Sequence, residues 1–199
     1  VLKRAAALMD DDLLKAGLLK RLGGRESAAG AGGLASADHL EEALRLNPAD
    51  HDCAVRLAEI YLAGDLAEKA AAILEPPARA ARESGDAPLE ARLRMMAAGA
   101  ATRCFDHAGA ARHLKRVLEI SPTDQEALRG LARTELALGD VEAAQRRLLS
   151  IPGAGGALTP EDARILRELG RAWAGRGNPA AALESLETAW RLDSDMSED

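Results

Sequence analysis

Leu138-Gly139-Asp140-Val141-Glu142-Ala143-Ala144, LGDVEAA in one-letter code, has near-copies in AGDLAEKAA at 63–71 and RGNPAAAL at 176–183. A glycine, then Asp or Asn, then an alanine-rich run reads as the turn between two helices. Glycine tolerates the bend and the short polar side chain suits a helix start. Three occurrences of one turn predict a single helical unit stacked along the chain.

The flanking sequence has the same regularity. LASADHLEEALRLNP at 34–48 places Ser36, Leu40 and Ala43 on one helical face and ends at Pro48. Ser36 is small but not apolar, so that face is weakest at its first position. AARHLKRVLEISP at 110–122 repeats the spacing with Ala110, Leu114 and Val117 and ends at Pro122. A proline just past a helix stops it, because it lacks the next N–H and its ring clashes. Asp50 and Asp124 follow as candidate N-caps of new helices. Between Pro122 and Ser150 the unit is clearest: Leu128, Leu131, Ala132 and Glu135 lead into Gly139-Asp140, and Ala144, Leu148 and Ile151 return.

This pattern resembles the tetratricopeptide repeat, a helix–turn–helix unit of roughly 34 residues with Leu-Gly in its first helix and a small residue opening its second. Leu131-Ala132 and Ala144 carry the likeness in one unit. Ala54, Leu57, Ala58, Tyr61, Ala70 and Leu74 carry it in a second, and Leu166, Leu169, Gly170, Trp173, Ala182, Leu186 and Ala189 in a third. The unit near Ala91 keeps its second helix (Ala110, Leu114, Val117, Pro122), but Arg94 stands where a large apolar residue belongs and Ala97-Ala98 replace Leu-Gly. The resemblance implies an all-α fold, a right-handed superhelical array of antiparallel helix hairpins. Small residues at Gly170 and Ala144 let neighbouring helices approach closely.

Units starting at 51, 91, 125 and 163 are spaced by 40, 34 and 38 residues. Two loops are therefore expected to be long: EPPARAARESGDAP at 75–88, where Pro76-Pro77 should kink or end the returning helix, and IPGAGGALTP at 151–160, which delivers Thr159 as cap and Pro160 as first helical residue. Upstream, residues 1–22 read as a helix with Leu13, Leu14, Leu18, Leu19 and Leu22 on one side and Asp10–Asp12 suiting its start. GGRESAAGAGG at 23–33 holds five glycines in eleven residues and reads as a flexible linker or a decayed repeat element. The expected organisation is an N-terminal helix and glycine-rich linker at 1–33, then the array at 34–199. That array comprises a half repeat at 34–48 and repeats near 51–84, 91–122, 125–152 and 163–193.

Composition agrees with helices. Of 199 residues, 47% are apolar but only 2% aromatic, so the core must be built from Ala and Leu. It resembles the composition of proteins from GC-rich bacteria. A net charge of −6 argues against a general nucleic-acid binder. No apolar run approaches the ~18 residues of a transmembrane helix. The opening VLKRAAALMDDD is a poor signal peptide, and Val1 in place of Met leaves open a fragment, a processed form or an alternative start. The compartment stays open between cytoplasm and periplasm.

Chemistry is sparse. His39, His51, His107 and His113 form no metal motif and read as surface residues at helix ends; no cofactor is expected. The glycine-rich stretch is not a phosphate cradle, and Ser27 has no recognisable His partner. Trp173 and Trp190 sit at repeat-core spacings. No catalytic constellation emerges, so the expectation is a non-enzymatic scaffold that binds a protein segment in a concave groove. The alternatives are the repeat region of a larger glycosyltransferase- or sulfotransferase-type enzyme, or an envelope or secretion assembly factor.

In the tetratricopeptide family the first helices line that groove. The resemblance assigns to it Asp52, Val55 and Glu59; Arg92, Met95, Gly99 and Arg103; Glu126, Arg129 and Arg133; and Arg164, Arg167 and Arg171. The last three follow i, i+3, i+7, one stripe of one helix. They are either a solvated face paired with neighbouring Glu or a basic groove for an acidic segment or C-terminal carboxylate. The chaperone-binding clamp of the family uses Asn as well as Lys and Arg, and no Asn stands at these positions. Leu183, Leu186 and Trp190 should form a partly covered stripe at the end of the array, implying self-association there or a continuation that caps it. Cys53 and Cys104, at the third and fourteenth positions of adjacent parallel helices, lie ~16 Å apart along the axis, beyond the ~7 Å a disulfide spans. Thiol titration of the denatured, non-reduced monomer should therefore find both cysteines free; finding none would refute the pairing of these helices.

Overall fold

Ten helices follow one another in a computed structural model that describes residues 11–28, 33–153 and 158–194. They are α1 (Asp12–Ala28), α2 (Gly33–Leu46), α3 (His51–Ala63), α4 (Ala67–Ser84), α5 (Ala87–Arg103), α6 (His107–Ile120), α7 (Gln125–Ala137), α8 (Val141–Gly153), α9 (Pro160–Gly175) and α10 (Pro179–Ser194). No strand occurs among the described residues. The chain divides into two compact units, Val1–Phe105 and Asp106–Asp199. The division falls in the turn of the repeat read at 91–122. Each unit has its own core of Ala and Leu: Leu40, Leu57, Leu74, Leu93 and Ala97 centre the first, and Leu128, Leu148, Ile151, Ile165 and Leu169 the second.

The turns explain the recurring heptapeptide. Asp65 (φ 59°), Phe105 (61°), Gly139 (81°) and Gly177 (72°) are left-handed, and each lies fourteen residues after its unit start at His51, Ala91, Gln125 or Ala163. The next residue caps the returning helix. Asp106 accepts from Gly109 N at 2.8 Å, Asp140 from Ala143 N at 3.0 Å and Asn178 from Ala181 N at 3.2 Å. The copy at 63–71 is one residue out of step. Gly64 keeps φ at −90°, Asp65 bears the left-handed conformation, and Leu66 opens α4 without a side-chain cap.

Caps at the outgoing helices agree with the sequence. Asp50 accepts from Cys53 N at 3.0 Å, Asp124 from Ala127 N at 2.9 Å, and Thr159 with Asp162 closes a capping box at α9. Asp11 caps α1, accepting from Leu13 N at 2.9 Å; Asp10 and the preceding residues lie outside the described ones.

Three expectations need correction. Pro76 and Pro77 neither break nor end α4, which runs to Ser84 and stops at left-handed Gly85. Beyond the prolines, Ala78 and Ala81 are buried, and that packing outweighs the lost backbone bonds. The stretch at 75–88 is thus helix, not loop. Glycines 23 and 24 are likewise helical, since α1 continues to Ala28. Ser36 Oγ donates to the Gly23 carbonyl at 2.7 Å, and a Cβ on Gly23 would meet Leu40 at 2.7 Å. A Cβ on Gly170 would meet Leu186 at the same 2.7 Å, so α1–α2 packs as a hairpin of the same kind, which agrees with the decayed repeat element and not with the linker of the two readings. Finally, His113 is buried, whereas Trp190 is exposed while Trp173 lies in the core.

The out-of-step turn makes a stability prediction. Asp65→Gly should raise unfolding free energy by about 0.5–1 kcal/mol, and Gly139→Ala should lower it by about 1–2 kcal/mol. Urea melts of both variants check this; equal midpoints would mean that the turn carries no strain.

Candidate functional site

In the first unit, α3 and α5 wall a groove of about 280 Å³ lined by His51, Asp52, Val55, Arg56, Glu59, Leu89 and Arg92. Asp52, Val55, Glu59 and Arg92 are brought together there. Arg56 and Leu89 join them, although nothing in the helical spacing singles these two out. The lining is mixed in charge: Asp52 is shared by Lys20 Nζ at 3.3 Å and His51 Nε2 at 3.4 Å. Met95 is half-buried on the same helix as Arg92. Arg103 donates to the Leu62 carbonyl at 2.8 Å and stands 3.7 Å from Asp65, so it is tied to the preceding hairpin.

In the second unit, α7 and α9 carry the five arginines, and their partners differ. Arg129 Nε donates to Asp162 at 2.8 and 3.1 Å. Asp162 is fully buried and also receives Thr159 N and Oγ1. Arg133 lies 3.2 Å from exposed Glu161, and Arg164 lies 3.4 Å from Glu168 on its own helix. Arg167 pairs with Asp193 on α10. Arg171 is exposed and has no ion pair among the described residues. The stripe exists, but four of its five charges are compensated internally.

Arg129–Asp162 has a counterpart in the first unit. Lys20 Nζ reaches Asp50 at 2.7 Å, joining the first helix of one hairpin to the start of the next hairpin's first helix. Burial opposes both charges, but their mutual bond, with the Cys53 N–H on Asp50, holds the Asp50 carboxyl below its ordinary range and the Lys20 ammonium above its own. The sequence does hold a signal for these bridges, an acid at the N-cap of the following unit, yet only the register of the helices pairs it with the cation. Other buried charges are structural too. Arg94 fills its apolar position by pairing with Glu75 at 2.7 Å and buried Glu90 at 3.7 Å. Burial raises the Glu135 carboxyl despite Arg147 at 3.5 Å.

Both cysteines are free; burial pushes the Cys53 thiol up to about 12, while Cys104 is partly exposed. Among the described residues no group of three or more His, Cys, Asp or Glu is placed to hold a metal ion, and no helix is long and apolar enough to cross a membrane.

Hairpins of this length, with a small residue at the crossing and a cap after each left-handed turn, define an all-α helical-repeat protein. Residues 96–157 match the family model described as Tetratricopeptide repeat. Within that stretch the chain carries tetratricopeptide repeats. It is similar to the crystal structure of MamA protein, at 14% identity over 92% of this chain and 94% of that one, with a TM-score of 0.69. It is similar to MamA from Desulfovibrio magneticus RS-1 at 14% identity, covering 94% and 98%, with a TM-score of 0.65. It is also similar to YrrB, described as a TPR protein with an unusual peptide-binding site, at 18% identity, covering 98% and 93%, with a TM-score of 0.67. At these identities the likeness carries the fold. No curated protein matches the chain.

The arginines should separate on mutation. Arg129→Ala leaves a buried carboxylate without its cation and should cost about 2–4 kcal/mol, whereas Arg171→Ala should change stability by less than about 0.5 kcal/mol. Denaturant melts decide; equal effects would mean that Asp162 does not depend on Arg129.

Proposed function

We propose that the chain is a non-enzymatic scaffold whose second unit holds an acidic segment of a partner protein on the α9 arginine stripe. The observation that carries this reading is Arg171. Its guanidinium is exposed and without an acid among the described residues, in one row with Arg164 and Arg167. Those two are paired only with the exposed acids Glu168 and Asp193. Such pairs are worth ~0–1 kcal/mol, so a bidentate ligand carboxylate replaces them at little cost. Arg133 and its exposed partner Glu161 extend the row onto α7. Arg129 is excluded, because its fork is committed to buried Asp162. The description of YrrB as having a peptide-binding site supports the scaffold reading.

A fluorescein-labelled peptide alternating Asp or Glu with Leu and ending in a free carboxylate is the probe. Anisotropy should give a Kd of roughly ten micromolar, weakening several-fold from about 50 to about 300 mM salt. Arg164→Glu with Arg171→Glu should weaken binding about tenfold or more at unchanged helicity, and Asp193→Asn should tighten it about twofold. Undiminished binding by the double variant would move the site to the groove of α3 and α5.

A further inference from the structure

The last hairpin exposes what every other hairpin buries. Leu40, Leu74, Leu114 and Leu148 occupy one position on their returning helices and are 0%, 0%, 4% and 1% exposed; Leu186, at the same position of α10, is 40% exposed. The others are covered by the outgoing helix of the next hairpin. A Cβ on Gly130 of α7 would lie 3.2 Å from Leu114, and Cys53 of α3 donates its Sγ to the Leu40 carbonyl at 3.5 Å. Around Leu186, Leu183 and Trp190 are 59% and 70% exposed. This face has the shape of a seat for one more outgoing helix.

The charges beside the seat say how that helix starts. Lys20 and Arg129 hold the same position on α1 and α7, and each bonds the acid that opens the next outgoing helix, Asp50 or Asp162. Arg167 holds that position on α9 and is turned back onto Asp193 of its own hairpin. One turn earlier on α9 stands Arg164, exposed.

At the other end, α1 shows the complementary face. Like α5, it opens a full turn before the frame position at which α3 and α7 begin; it is capped by Asp11 and followed by Asp12, and its Leu13 and Leu14 are exposed. Leu14 and half-buried Leu18 continue, along α1, the face that Cys53 uses on α3 to meet Leu40.

We propose that the exposed face of α10 and α9 seats α1 of a second copy of this chain, in the parallel register of the internal joints. In that register Asp12 meets Arg164. Lys15, which stands where Asp50 and Asp162 stand, meets Asp193, the carboxylate that Arg167 already holds. Leu14 and Leu18 cover Leu183, Leu186 and Trp190. The contact is heterologous, end to start, so further copies extend it into chains or rings where an isologous contact would stop at a pair. It shares Arg164 and Asp193 with the peptide-binding reading, but Trp190→Glu and Leu14→Glu leave the arginine row intact, so the two readings fail separately.

The test is sedimentation velocity and light scattering of the 199-residue chain from about 5 to about 500 micromolar, with circular dichroism to check helicity. The parent's average mass should rise past the dimer with concentration. Trp190→Glu and Leu14→Glu, both at exposed positions, should each remain monomeric. Their equimolar mixture should form a dimer and nothing larger, because one intact seat then meets one intact α1. A parent that stays monomeric throughout overturns the proposal. So does a Leu14→Glu variant that associates like the parent, which would mean that two α10 faces meet each other.

Discussion

Within each unit a leucine on the returning helix lies against a residue no larger than alanine on the outgoing helix, and the architecture depends on that approach. Gly23 against Leu40 and Gly170 against Leu186 leave no room for a Cβ without movement of the leucine. Ala58 and Ala132 hold the position in the hairpins of α3–α4 and α7–α8 and are buried. Helices this close exclude large rings, which is why a chain with 2% aromatics still closes its cores. The approach also fixes the roll of each helix. It thereby decides which side faces the next hairpin and which is left for a groove.

The fold was legible wherever its signals are local. Gly139-Asp140 and Gly177-Asn178 each combine a left-handed residue with a cap, and such a turn requires nothing from elsewhere in the chain. Legibility failed where packing overrides local preference. Pro76-Pro77 reads as a break, yet Leu74 on one side and Ala78 and Ala81 on the other are buried, and the helix continues through them. Gly23-Gly24 reads as a linker because glycine is costly in a helix, but there it provides the close approach to Leu40. Trp190 has the spacing of a core residue but is 70% exposed, since burial at that position comes from a neighbouring hairpin.

The candidate site was legible as geometry and illegible as charge. An i, i+3, i+7 spacing suffices to place Arg164, Arg167 and Arg171 in one row. Whether that row is positive depends on acids distant in sequence: Asp162 for Arg129, thirty-three residues on, and Asp193 for Arg167, twenty-six on. Those partners are set by the register between helices, which depends on the length of every intervening turn. Counting arginines on a face therefore overstates its potential: of the five, Arg171 is the one that lacks such a partner among the described residues.

The same register accounts for where a groove opens in the first unit. Where Lys20 precedes Asp50, a buried-edge ion pair draws consecutive outgoing helices together. At the next joint the cation's position holds Val55, and the acid opposite, Glu90, is buried beside Arg94 of its own helix. Arg103 ties the far end of that joint to Leu62 and Asp65, and at its near end α3 and α5 leave the cavity bounded by Val55, Leu89 and Arg92. A cation or an apolar residue at one position of the repeat thus selects between a locked joint and an open one. An array can vary its binding surface by that substitution while the leucine-to-small-residue contact, and with it the fold, stays unchanged.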